Sequence, residues 1–171
     1  MKGHYHSRGS SALEFTLVGV PLMFLLVCIF EMSRAMWSYH SLAYAVKEGG
    51  RYAVVHGQTC TIPPNSCTVT ISAIATTIQS MGQALPGDAV TLTFTPSVGT
   101  ATTCLMRDCI ANYTTGAWPA GAANAPGENV KISAVYPFRS AMAMFWPGIG
   151  PLRSSPAVVN FGAVSRESIQ Y

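Results

Sequence analysis

Charge is what this sequence has least of. Only 10% of its 171 residues are Asp, Glu, Lys or Arg, against about 25% in ordinary soluble domains. The formal net charge is +3, and no basic cluster is present that could track a phosphate backbone, so nucleic acid is not an expected partner. There is no nucleophile elbow, no glycine-rich phosphate cradle and no pair of acids at a useful spacing. The one His-x-His, at His4 and His6, lies at the extreme N-terminus, while His40 and His56 stand apart on a helical pattern. Neither close cysteine pair has the short spacing, closed by a second pair or by histidines, that holds zinc. Neither an enzyme, a cofactor nor a metal site is therefore expected.

What the chain has instead is a long apolar run with one acid at its mouth. Residues 15–30 carry no charge and are mostly Leu, Val, Phe, Met and Ile. As a helix, that run covers about 24 Å of a hydrocarbon core about 30 Å thick. Ala12 and Leu13 bring it close to a full span, provided that Glu14 sits near one face, is protonated or finds a partner. An ionisable group inside a membrane segment is expensive and marks a functional position. A secretory signal is the plainer reading, with Ser33-Arg34-Ala35 as its cleavage site. Glu14 is badly placed for a signal, however, and beyond Ala35 the pattern continues the helix.

The same residues carry a resemblance. A short basic leader with Lys2 and Arg8, then Gly9, a Glu at the fifth position after it (Glu14), an aromatic at the sixth (Phe15) and an apolar helix resemble a prepilin processing site. Together with Val46-Lys47-Glu48-Gly49-Gly50-Arg51 and Ser165-Arg166-Glu167, this N-terminus resembles the TadE-like minor pilins, or pseudopilins, of the tight-adherence (Flp-type) pilus system. The first motif is the specific one; residues 57–128 add almost nothing to it. The resemblance implies cutting by a prepilin peptidase between Gly9 and Ser10, with Glu14 and Phe15 completing the processing site. It also implies major and other minor pilins, an inner-membrane assembly platform and the lipid bilayer as partners. The expected layout is a leader at 1–9, a transmembrane helix at 10–32 and an exported domain at 33–171.

Orientation follows from the flanks. Lys2, Arg8 and the amino terminus precede the run without an acid among them, whereas Glu31 and Arg34 cancel beyond it, so the N-terminus stays cytoplasmic and the remainder lies outside. Loss of the leader would leave eight basic against seven acidic residues, a net +1. Cys60, Cys67, Cys104 and Cys109 all fall in the exported part, where thiols are usually oxidised, and Cys28 lies in the membrane run. The spacings suggest Cys60 with Cys67 and Cys104 with Cys109, although four cysteines allow three connectivities.

The fold expected is α+β. The first helix should run from about Ser11 to His56, with Pro21 as a kink and Gly57 as its stop. Beyond the membrane it becomes two-sided, with Met32, Met36, Tyr39, Ala43, Val46, Gly50 and Ala53 recurring at helical steps. Gly49-Gly50 is costly in mid-helix and signals either a close approach of another backbone or a local break where the helix ends early. Residues 57–67 read as a loop, and about 68–84 as a second amphipathic helix whose apolar face is Ile71, Ile74, Ile78, Met81 and Leu85. Strict alternation over 89–95 gives a first strand, with Val90, Leu92 and Phe94 inward. Residues 97–128 read as a long surface loop pinned by a cysteine bridge and by Trp118. Strands at 130–138 and 158–168 complete a small antiparallel sheet of about three, the last with Val159, Phe161 and Ala163 inward. Met142, Met144, Phe145 and Trp146 make the connection between them apolar.

A different class of function competes with the pilin reading: a signal-anchored, single-pass envelope protein whose exported domain binds a ligand or partner through the Met142–Trp146 surface. The N-terminus of protein recovered from its native host separates the readings. Ser10 is the expected result; an intact Met1 supports the anchored domain, and Met36 supports secretion.

Overall fold

The computed structural model describes residues 10–57, 69–83, 85–141 and 158–170. One helix dominates it. Helix α1 (Ser10–Val54) is 45 residues long, or about 67 Å at the standard rise, and it runs through Pro21 without interruption. Its end is closed by the C-terminal tail, where the Gln170 amide donates to the Val54 carbonyl at 3.2 Å. Helix α2 (Ile71–Met81) comes next, shorter at both ends than its periodicity suggests. The Thr70 hydroxyl caps it by accepting from the Ala73 amide at 3.2 Å, which satisfies one of the unpaired donors of the first turn.

The sheet has four strands, β1 (Thr91–Thr95), β2 (Thr102–Leu105), β3 (Asn129–Arg139) and β4 (Val158–Ser168), in the antiparallel order β2-β1-β3-β4. The register aligns one buried row through Leu92, Ala134 and Ala163 and another through Phe94, Ile132 and Ser165. Side chains alternate across a strand, so one face of the sheet meets α1 and α2 while the other presents Thr93, Thr103, Val135 and Val164. On that outer face Thr93 and Thr103 hydrogen-bond at 3.0 Å.

Two parts differ from the sequence reading. The stretch read as a long loop holds β2, helix α3 (Met106–Asn112) and a 3₁₀ turn (Gly121–Asn124). Strand β2 escapes periodicity because it has only four residues and its pairing side carries Thr102 and Cys104 rather than large apolar groups. Trp118 does pin the segment beyond α3, stacking edge-on to Phe94 with ring centroids 5.3 Å apart and donating its amide to the Val69 carbonyl at 2.7 Å. The second difference is the face of α1. Val46, Gly50 and Ala53 are buried as read, and Ala43 partly so, but Met32, Met36 and Tyr39 are exposed; the buried stripe runs instead through Glu31, Leu42, Ala45 and Gly49. Met81 and Val159 are likewise more exposed than their patterns imply. The Met142–Trp146 surface lies outside the described residues.

The glycine pair explains how α1 seats so closely. A methyl group built on Gly49 would fall on the Ile78 side chain, 2.9 Å from Cδ1 and nearer still to Cγ1, and one on Gly50 would stand 2.7 Å from the Ser165 Oγ. Of the two alternatives, close approach is the one found, and the helix does not break there. The neighbours are side chains of α2 and β4 rather than another backbone.

Overpacking costs about 1–3 kcal/mol, enough to outweigh the gain of about 1 kcal/mol from replacing a helical glycine by alanine. Gly49→Ala is therefore expected to lower the denaturant midpoint of the full chain in detergent, and to raise it in an Ile78→Ala background where the obstruction is gone. A rise in both backgrounds would show that no close contact exists.

Candidate functional site

The candidate processing segment sits at the start of α1. Ser10 is the first described residue and is already helical, and Gly9 lies outside the described residues. Glu14 stands one helical turn beyond Ser10, which puts both on one side of the helix. Glu14 is exposed, and the neighbouring Phe15 is 78% exposed. An 18-residue stretch in this half of α1 has a mean hydropathy of 2.4 and is 0% buried within the protein. Apolar surface on that scale calls for lipid or another apolar partner. Phe15, Gly19, Val20, Met23 and Val27 border a shallow apolar groove of about 390 Å³ along this part of the helix. A missing side chain at Gly19 in such a surface is the kind of feature that lets membrane helices approach closely.

The other half of α1 belongs to the head, and Glu31 marks the join. Its carboxylate is 8% exposed as a residue. It accepts hydrogen bonds through Oε2 from the Ser140 hydroxyl at 3.0 Å, the Ala141 amide at 3.1 Å and the Arg34 guanidinium at 3.3 Å. Arg34 in turn donates to the Arg139 carbonyl at 2.6 Å and lies over the Phe138 ring, 4.7 Å from its centroid. A buried carboxylate is tolerated only when it is paired and hydrogen-bonded, and here three donors converge on one oxygen. Sequence reasoning treats Glu31 and Arg34 as charges that cancel. The spacing of three is visible there, but the partners at 139–141 lie more than a hundred residues away, and nothing local signals them.

Of the four cysteines beyond α1, Cys104 and Cys109 form a disulfide with Cα atoms 5.5 Å apart, tying the end of β2 to α3. Cys60 and Cys67 lie outside the described residues. Cys28 is a free thiol on the exposed part of α1. Among the described residues no group of three or more His, Cys, Asp or Glu side chains gathers in a way that could hold a metal.

These features define a class: an α+β protein with, among the described residues, one candidate membrane helix near the N-terminus, exposed along its first half and carrying the head on the other half. Residues 9–51 match the family model described as TadE-like protein, so over that stretch the chain is similar to TadE-like proteins. The match takes in both N-terminal motifs and stops short of the sheet and of Ser165-Arg166-Glu167. No curated protein and no solved structure matches the chain.

Proposed function

We propose that this protein is a minor pilin, or pseudopilin, that takes part in assembling a tight-adherence (Flp-type) type IV pilus. The observation that carries the reading is that the TadE-like stretch lies on the long helix α1, whose apolar half holds an 18-residue stretch of mean hydropathy 2.4 that is 0% buried within the protein. A prepilin peptidase would cut between Gly9 and Ser10. Residues 10–32 would hold the chain in the inner membrane, with the N-terminus cytoplasmic and the domain from residue 33 outside.

Cutting turns Ser10 into a new amino terminus, a cation four residues from Glu14. In lipid a carboxylate is costly unless it is neutralised or paired. When subunits pack side by side, the Ser10 amine of a neighbouring copy or sister pilin can approach Glu14 within the apolar helical core, and that pairing sets the stagger between subunits. The bare face around Gly19 supplies the close packing. The head, carried rigidly on the same helix, is then presented outward to the other pilins.

Glu14→Ala separates this role from simple anchoring. Processing at Gly9 should proceed as in the wild type, judged by the mature N-terminus, while pili visible by electron microscopy are lost. Normal piliation in the variant would contradict the proposal.

A further inference from the structure

We infer that the outer headgroup layer of the bilayer reaches Trp37, so that the base of the head rests on the lipid surface. The inference depends on the membrane placement of the proposed function and adds to it the depth at which the head sits.

The argument begins with length. From Ala12 to Phe30 the helix rises about 28 Å, close to the roughly 30 Å hydrocarbon core, and a bilayer about 40–45 Å thick with its headgroups adds some 5–7 Å on each side. That layer accounts for a further three to five residues of helix, up to Arg34 or Ala35. Side chains on a helix slope toward its N-terminus, so the Trp37 ring covers the turn below its own Cα and falls at this level.

The side chains there suit a graded interface. Met32, Met36 and Trp37 are 65%, 58% and 64% exposed, too much apolar surface to present to water when a membrane begins one turn below. Met36 and Trp37 lie around the helix from Glu31, which is turned into the head. Indole rings favour the headgroup region, where an apolar body and an N–H donor are both accommodated. Arg34, whose side chain is 44% exposed, stands at the same height, and Arg139 at the end of β3 is exposed beside it. Farther from the membrane the same side of α1 exposes His40, Tyr44, Lys47 and Arg51, charged or with a polar tip rather than wholly apolar.

Lipid-quenching of tryptophan emission tests the inference on the full chain in phosphatidylcholine and phosphatidylglycerol vesicles. Emission lost on Trp37→Phe isolates this ring from Trp118 and Trp146. Lipids brominated near the headgroup should quench that component more strongly than lipids brominated deep in the tail, and aqueous iodide should quench it weakly. Strong iodide quenching without lipid quenching would overturn the inference by placing Trp37 in water. Resistance to both quenchers would overturn it in favour of a protein contact, and stronger deep than shallow quenching would place the ring inside the hydrocarbon. Vesicle flotation keeps the two readings separate: a chain that does not float refutes the membrane placement itself, whereas one that floats with an unquenched Trp37 refutes only the depth.

Discussion

Glu31 sits where α1 changes solvent, and satisfying its carboxylate is the constraint on which the rest of the arrangement depends. Below it the helix is mostly apolar and exposes an 18-residue stretch that is 0% buried within the protein; above it one stripe is buried against α2 and the sheet. A charge at such a border must be hydrated or matched by donors. Ser140, Ala141 and Arg34 supply the donors, and in doing so they fasten the end of β3 to the helix. The clasp and the glycine contacts some 18 residues farther along hold α1 to the head at two separated points, so the membrane segment and the head share one rod.

On the proposed reading, that sharing would give the exposed segment a use. A helix held at one point could swing relative to its head, and subunit contacts made in the membrane would not fix anything outside. With two fastenings, the proposed pairing near Glu14 would set the position of the sheet, on the order of 40–60 Å away along the helix. The Cys104–Cys109 bridge serves the far side of the head in the same sense, fixing α3 against β2, where the edge of the sheet is only four residues long.

Much of this was legible in the sequence because the signals were local. An uninterrupted apolar run, an acid at its mouth and alternating strands each follow from the spacing of neighbouring side chains. The TadE-like stretch was legible for the same reason, since its processing motif is contiguous. What escaped depended on distance. The stripe through Met32, Met36 and Tyr39 had the correct period and the wrong azimuth, because a helix rich in apolar residues on several sides offers more than one stripe and only the sheet decides which is covered. Strand β2 was missed because its pairing with β1 is decided by the register Leu92 with Cys104 and Phe94 with Thr102, not by its own hydrophobicity. Glu31 was read only as a charge that Arg34 cancels, because Ser140 and Ala141 are remote in the chain. Gly49 and Gly50 were the instructive case: their cost in mid-helix announced a close neighbour, while the identity of that neighbour, Ile78 on one side and Ser165 on the other, could come only from the fold.

Hydrogen exchange of the full chain in lipid vesicles, read peptide by peptide along α1 for the wild type and Glu31→Ala, tests the shared rod most directly. The wild type should be protected continuously from the membrane segment through Val54, and the variant should open selectively around residues 31–38 and at Ala141 while the Gly49–Gly50 region stays closed. A wild-type helix that already exchanges freely between residues 31 and 38, with protection on either side, would mean that anchor and head are separate bodies joined by a hinge.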